Sequence, residues 1–133
     1  MHPDLIARAA AARENAVAPY SRFKVGAALE TKDGRIFTGC NIESASFGLT
    51  VCAERVALWK ALSDGAREFL QIAVVTDASV PATPCGACRQ LLWEYCGDLP
   101  IVAQTLGGDS RRFQLAELLP NPFDRSQLSF INL

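Results

Sequence analysis

The spacing of apolar and polar positions predicts three main helices. The N-terminal segment is rich in alanine and has no internal breaker. In the second segment, apolar residues are interleaved at helical intervals. Pro3 is compatible with the opening turn of the first helix, and Gly97 directly follows the third. The predicted helices cover residues 3–17, 51–62 and 86–96, and "LAELLP" predicts one further helical turn.

Alternating and β-branched runs predict five strands. "FKVGAALETK" and "RIFTGCNI" flank the dipeptide Asp33-Gly34, which is typical of a tight hairpin turn. Residues 69–77, "FLQIAVVTD", form a continuous run rich in β-branched residues, which suits a strand buried on both faces. "PIVAQTL" and "RRFQL" flank a glycine turn and predict the last two strands.

The order of these elements, α-β-β-α-β-α-β-β, predicts the fold class. It indicates an α/β protein with three layers, α/β/α, around a central mixed sheet of about five strands. The length, and the lack of a linker or repeat, predict a single domain over residues 1–133. Two of the helices follow strands, so their N-termini are expected to meet at one edge of the sheet, where such folds bind ligands.

Composition and charge argue against several classes of partner. The net charge of −1, the pI near 5.8 and the lack of a Lys/Arg run disfavour nucleic acid and anionic membranes. The sequence shows neither a membrane-length apolar run nor a secretory signal pattern, so we expect a cytoplasmic protein. Half of the residues are apolar, which favours a subunit interface.

The cysteines are the first sign of chemistry. Their number is odd, which disfavours a disulfide framework and favours metal or catalytic use. Cys85 and Cys88 form a C-x-x-C pair, which alone fits either a redox dithiol or half of a zinc site. Cys52 stands alone at the start of the previous helix, while Cys40 and Cys96 are expected to be small buried apolar residues.

The ligand count favours a catalytic zinc centre over a structural one. A structural site normally closes with four protein ligands, whereas a catalytic site has three and one open position. Cys52, Cys85 and Cys88 supply three ligands, and the single histidine, His2, lies at the N-terminus. Because helix N-termini stabilise thiolates, we predict that these three cysteines bind Zn²⁺.

Glu54, in "CAE", is the predicted catalytic residue. If Cys52 lies at the helix boundary with non-helical dihedral angles, its side chain and that of Glu54 can face one cavity. The carboxylate can then accept a proton from a zinc-activated water and pass it to a substrate. Three thiolates leave the zinc complex with a net negative charge, and Arg55 and Arg89 are candidates to hydrogen-bond the sulfurs and offset it.

Together these motifs resemble a known family. "CAE" followed by "PCGACRQ" is similar to the signature of the zinc nucleoside deaminases. "APYSRFKVGAAL" and "GCNIESASFGLTVCAERVAL" resemble the small, homotetrameric cytidine deaminases of pyrimidine salvage, and the similarity continues through "ELLPNPF". The resemblance implies a cytidine deaminase-like fold, one zinc per subunit, and hydrolysis of cytidine and deoxycytidine to uridine and deoxyuridine with release of ammonia.

The resemblance also implies which residues contact the nucleoside. Asn41 and Glu43 would bind the sugar hydroxyls, and Phe23 would pack near the pyrimidine. The backbone of Ala53 would hydrogen-bond the base. These four roles rest on the family and not on spacing.

Two aromatic residues are assigned by the resemblance to a neighbouring subunit's site. Phe47 stands where many relatives have tyrosine, so a hydroxyl contact is missing here. Phe123 in the C-terminal tail matches an aromatic that closes over the neighbouring site. Both assignments depend on the implied homotetramer.

Other interpretations use the same residues. A deaminase of a modified cytosine, such as an aminopyrimidine antibiotic, would share the chemistry. A structural zinc-binding interaction module would not need Glu54. An RNA- or DNA-editing deaminase would share the zinc site, but the sequence provides no basic channel for a polynucleotide.

Overall fold

The computed structural model describes residues 2–128, and these contain the five predicted strands and the three predicted main helices. Within these described residues, the longest helices have 11 residues, which is too short to cross a membrane. The elements are α1 Leu5–Arg13, β1 Val25–Thr31, β2 Ile36–Cys40, α2 Ala53–Ser63, β3 Phe69–Thr76, α3 Gly86–Cys96, β4 Pro100–Thr105, β5 Ser110–Gln114 and α4 Leu115–Leu118, with short 3₁₀ helices at Phe47–Leu49 and Arg125–Gln127.

The strands form one mixed sheet in the order β2-β1-β3-β4-β5. β1 pairs antiparallel with β2 and with β3, and β5 pairs antiparallel with β4. β3 and β4 run parallel and are connected through α3. The central place of β3 explains its continuous apolar sequence, because a strand with helices above and below it buries both faces.

Helices cover both faces of this sheet, which confirms the predicted α/β/α layers. Ile72 and Ala73 are neighbours on β3 and point to opposite sides. Ala73 packs with Leu5 of α1, whereas Ile72 packs with Leu58 of α2 and Leu92 of α3. The two helices that begin with cysteines therefore lie in the same layer.

The first helix is shorter than predicted, because a tertiary contact ends it. Residues 3–17 were expected to be helical, but α1 covers Leu5–Arg13. Beyond it, the backbone of Val17 pairs with the segment that follows β2. Its N–H donates to the Asn41 carbonyl at 3.0 Å, and its carbonyl accepts from the Glu43 N–H at 2.8 Å. These bonds replace the helical ones that the local sequence would otherwise make.

Gly39 on β2 allows α2 to pack unusually close to the sheet. A Cβ atom at this position would lie 2.3 Å from the Ala53 carbonyl oxygen and 2.6 Å from the Ala57 nitrogen. Both are backbone atoms that cannot rotate away, so the approach requires glycine. Gly39 thus places the first turn of α2, where the candidate functional residues begin.

Candidate metal centre and adjoining cavity

Two helix N-termini carry the three candidate metal ligands. Cys52 directly precedes α2 and has extended dihedral angles, φ −78° and ψ 155°. Cys85 precedes α3 in the same way, with φ −67° and ψ 167°. Cys88 lies in the first turn of α3 and is buried. Cys52 therefore meets the condition set above, a helix boundary with non-helical dihedral angles, and α2 begins at Ala53, two residues later than predicted.

The three sulfur atoms form a compact cluster. The Sγ atoms of Cys52 and Cys85 are 3.8 Å apart, those of Cys85 and Cys88 are 3.6 Å apart, and all three lie within 4.8 Å of one another. Thiolates placed tetrahedrally around zinc at a Zn–S distance of about 2.3 Å are about 3.8 Å apart. Within residues 2–128, no fourth Cys, His or carboxylate belongs to the cluster. The residues fit a zinc ion with an open position.

The surroundings of the cluster favour a thiolate at Cys52. A hydrogen bond from Cys88, helped by the Arg55 guanidinium, lowers the pKa of the Cys52 thiol to about 5. The pKa of Cys88 is raised, because this thiol is hydrogen-bonded to Cys52 and is buried. Nη2 of Arg55 lies 3.3 Å from the Cys52 sulfur, as expected from the sequence. Thiolate is the form of cysteine that binds metals.

Arg89 differs from its predicted role at the sulfurs. Its Nε donates to the Pro84 carbonyl at 2.7 Å, its Nη2 to the Thr83 hydroxyl at 2.8 Å, and its Nη1 to the Leu118 carbonyl at 3.0 Å. These contacts direct the guanidinium to the loop before Cys85 and to the end of α4. Arg89 therefore supports the loop before the candidate metal ligand Cys85 and does not hydrogen-bond the sulfurs.

Glu54 lies in the first turn of α2 and is only 4 % exposed. Burial raises the pKa of its carboxyl to about 7, and the nearby charge of Cys52 acts in the same direction. Glu54 lines a cavity of about 260 Å³ together with Cys52 and Cys85. The structure thus brings the predicted catalytic carboxyl and the sulfur cluster to one cavity.

Four of the six predicted substrate-contacting residues line the same cavity, namely Phe23, Asn41, Glu43 and Ala53. The Asn41 side chain, only 8 % exposed, is already partly engaged. Its Oδ1 accepts from the Val25 N–H at 2.8 Å, and its Nδ2 donates to the Phe23 carbonyl at 2.7 Å. One amide hydrogen and one acceptor position are left for a ligand.

Glu43 is held by residues that the sequence analysis missed. Its Oε1 accepts from the N–H groups of Tyr20 at 2.9 Å and Ser21 at 3.1 Å, and its Oε2 accepts from the Ser21 hydroxyl. These hydrogen bonds, led by the one from the Ser21 hydroxyl, lower the pKa of the Glu43 carboxyl. Ser21 also lines the cavity. The only sequence signal was its place in the "PYSR" segment, which was interpreted as the end of a helix.

The other two predicted contacts, Phe47 and Phe123, do not line this cavity. Phe47 is 72 % exposed and packs edge-to-face on Tyr20, with ring centroids 5.7 Å apart. Phe123 is also exposed and lies beside Trp93 in a separate cavity of about 300 Å³. Their assignment to a neighbouring subunit's site remains a prediction.

Comparisons with known proteins agree with this geometry. Residues 1–103 match the family described as "Cytidine and deoxycytidylate deaminase zinc-binding region". A cytidine deaminase from Sporosarcina psychrophila is 50% identical over 127 residues, covering 95% of this chain and 93% of that protein. The crystal structure of cytidine deaminase from Burkholderia pseudomallei shares 52% identity with a TM-score of 0.89, covering 92% of this chain and 99% of that one.

A more distant relative has a different name. Blasticidin-S deaminase from Bacillus cereus is 32% identical over 114 residues, which is 80% of this chain and 81% of that protein. The family match nevertheless extends over most of the chain and includes all three clustered cysteines. Sequence similarity, fold and sulfur cluster agree, and the chain belongs to the cytidine and deoxycytidylate deaminase family.

Proposed function

We propose that this chain hydrolyses cytidine and deoxycytidine to uridine and deoxyuridine, releasing ammonia. One observation carries the proposal: a cluster of three cysteine sulfurs and the buried carboxyl of Glu54 meet at one cavity. A binding module would not need a buried carboxyl that can exchange protons near neutral pH, placed beside a metal site with only three protein ligands. The identity to named cytidine deaminases supports the same reaction.

Cys52, Cys85 and Cys88 would hold the zinc ion. When bound, the ion would supply a hydroxide nucleophile near neutral pH, because it lowers the pKa of a coordinated water molecule. The Arg55 guanidinium, which donates to Cys52, would offset part of the negative charge of the three thiolates. Arg89 would keep the loop before Cys85 in place.

Glu54 would move the protons of the reaction. As a carboxylate it accepts a proton from the attacking water, and as an acid it protonates ring nitrogen N3 of cytosine. A second proton passes through Glu54 to the amino group on C4. One water is consumed, the C4–O bond forms, the C4–N bond breaks, and the amine leaves as ammonia.

The remaining cavity residues would bind the nucleoside. Phe23 would pack on the pyrimidine, and Asn41 and Glu43 would bind the sugar hydroxyls. Ala53 is the first residue of α2, so its backbone N–H has no partner within the helix and can donate to the base.

The proposal includes a homotetramer in which neighbouring subunits complete each site. Exposed large apolar side chains support subunit contacts, and several of them lie in the segments that border the cavity: Val17, Tyr20, Phe23, Ile42, Phe47 and Leu49. Phe47 and Phe123 would act in the site of a neighbouring copy. A cytoplasmic role in pyrimidine salvage fits the five cysteines, all of which are free thiols.

A second candidate function is deamination of a modified cytosine. The blasticidin-S deaminase relative favours it, although that protein is less similar to this chain than the cytidine deaminase from Sporosarcina psychrophila. The two functions are distinguished by comparing kcat/KM for cytidine and blasticidin S with the same enzyme preparation. A preference for cytidine supports the first function, and the reverse preference supports the second.

The main test is ultraviolet-monitored conversion of cytidine to uridine with and without a zinc chelator. We expect the chelator to abolish turnover and added zinc to restore it. Glu54→Gln should keep its zinc and its melting temperature but lose turnover by at least about 100-fold, because general acid–base catalysis contributes that much or more. Glu68→Gln, at an exposed position, is the control. A fully active Glu54→Gln variant, or turnover without zinc, would contradict the proposal.

A further inference from the structure

The Glu43 carboxylate is held by the turn that precedes β1. Two backbone N–H groups, from Tyr20 and Ser21, donate to Oε1, and the Ser21 hydroxyl donates to Oε2. Ser21 lies 22 residues before Glu43 in the chain, so this contact exists only in the folded protein. Both residues line the cavity that also contains Glu54.

Counting acceptor positions shows what is left for a ligand. An ionised carboxylate has about four lone-pair positions, two on each oxygen. Oε1 accepts two hydrogen bonds and is saturated, whereas Oε2 accepts one. The single acceptor position that remains is therefore on Oε2 of Glu43, the oxygen held by Ser21.

We propose that Ser21 is a positioning residue for sugar recognition. Its hydroxyl fixes Oε2 of Glu43 so that the last lone pair of this oxygen accepts a hydrogen bond from the 2′ or 3′ hydroxyl of the substrate sugar. This inference rests on the proposed function, in which Glu43 binds the sugar. According to this inference, the pair of Ser21 and Glu43 lets the enzyme distinguish a sugar that carries the hydroxyl from one that lacks it.

The turn itself is built to keep the Ser21 hydroxyl in place. The Phe23 N–H donates to Ser21 Oγ at 3.0 Å, so the hydroxyl has a backbone donor on one side and the carboxylate on the other. The intervening Arg22 has a φ of 59°, which is uncommon for a residue with a side chain. With the Phe23 N–H as its donor, the hydroxyl directs its own hydrogen to Glu43.

Removing this hydroxyl should change substrate discrimination more than it changes chemistry. In Ser21→Ala, the two backbone donors still anchor Oε1, but water replaces the hydroxyl at Oε2. The free lone pair then has no fixed direction. Binding of a sugar hydroxyl weakens, while Glu54 and the three cysteines keep their places.

The test compares cytidine with 2′,3′-dideoxycytidine, which lacks the 2′ and 3′ hydroxyls of the sugar and keeps the 5′ hydroxyl. For Ser21→Ala, we expect kcat/KM for cytidine to fall about fivefold to tenfold, mainly through KM, as for the loss of one hydrogen bond. For the dideoxy analogue, the same substitution should change kcat/KM by less than about twofold. Ser21→Thr keeps a hydroxyl and should restore the discrimination. Ser63→Ala, at an exposed position on α2, is the matched control.

Each outcome has a distinct meaning. If Ser21→Ala lowers kcat/KM equally for both substrates, Ser21 only supports the turn and the inference is wrong. If the unmodified enzyme converts cytidine but does not discriminate against the dideoxy analogue, the sugar-binding role of Glu43 fails and the inference fails with it. If the enzyme converts neither substrate, the proposed function itself is overturned.

Discussion

The Arg55 guanidinium lies 3.3 Å from the Cys52 sulfur, and both residues belong to the start of α2. Nε of Arg55 is buried and has no hydrogen-bond partner among residues 2–128. A half-buried cation beside the cysteine cluster has one evident electrostatic use, which is to balance thiolate charge.

Arg55→Gln should weaken zinc binding while the fold persists. The amide is neutral, so the thiolates lose their nearest positive charge. Residues that support metal ligands in this way typically contribute about tenfold or more to metal affinity. Zinc affinity is measured by competition with a coloured chelator, with Arg8→Gln on the exposed face of α1 as control. Unchanged affinity and unchanged kinetics would refute this role for Arg55.

Gly39→Ala should destabilise the protein and weaken zinc binding together. The new Cβ would meet the Ala53 carbonyl oxygen at 2.3 Å, so α2 and the attached Cys52 must shift. Overpacking of this kind costs about 1–3 kcal/mol of unfolding free energy. Urea denaturation measures the cost. Gly48→Ala is the control, because a Cβ there meets no atom within 4 Å. Equal stability of the two variants would show that α2 adjusts freely.

A 5′-phosphate should make cytidine a much poorer substrate. The Glu43 carboxylate lines the cavity and has a lowered pKa, so it is negative at neutral pH and repels a phosphate. We expect kcat/KM for CMP to be at least about tenfold below that for cytidine, since about 1.4 kcal/mol of repulsion is enough. Glu43→Gln should reduce the difference in kcat/KM between cytidine and CMP. Comparable rates for the two substrates in the unmodified enzyme would disprove the argument.

Glu30 should make the stability of the protein dependent on acid pH. It is only 5 % exposed and accepts hydrogen bonds from Gln71 Nε2 at 2.8 Å and from the His2 N–H at 3.2 Å. Burial alone would raise the pKa of Glu30, but these bonds outweigh it, so the pKa lies below its ordinary value of 4.5. The resulting stabilisation is fully present above pH 4.5 and is lost as the pH falls through the folded-state pKa.

Glu30→Ala tests this directly. The variant leaves the buried Gln71 amide without its acceptor, which should cost about 1–3 kcal/mol of unfolding free energy at pH 7. The difference from the unmodified protein should shrink as the pH falls below 4.5, because the native carboxylate then becomes protonated. Urea denaturation at several pH values measures both effects, with Glu68→Ala as control. A difference that is constant with pH would contradict the assignment.

Much of the fold followed from local pattern. The pattern of apolar and β-branched residues predicted β3, α2 and α3 to within a residue or two, because such patterns depend on nearby residues. The end of α1 could not be predicted in this way. Val17 pairs with the backbone of Asn41 and Glu43, and residues 14–17 contain no sequence signal for that contact.

In the candidate site too, some residues could be predicted from local sequence and others could not. Short motifs predicted the four central residues, which are Cys52, Cys85, Cys88 and Glu54. Each lies at or near the start of a predicted helix, so its position could be inferred from residues close by in the sequence. The structure brings the sulfurs together and places Glu54 at their cavity. Arg89 was assigned from its neighbour Cys88, and this assignment was wrong because its hydrogen bonds go to the loop and α4.

The sequence by itself determined the set of reactive groups and the order of helices and strands. Both depend on residue type and on spacing over a few positions. Only the tertiary structure decided which distant residues hold these groups in place. The hydrogen bond between Ser21 and Glu43 spans 22 positions and that between Arg89 and Leu118 spans 29. Such bonds are directional and short, so they form only after the sheet and its helices have brought distant segments into register.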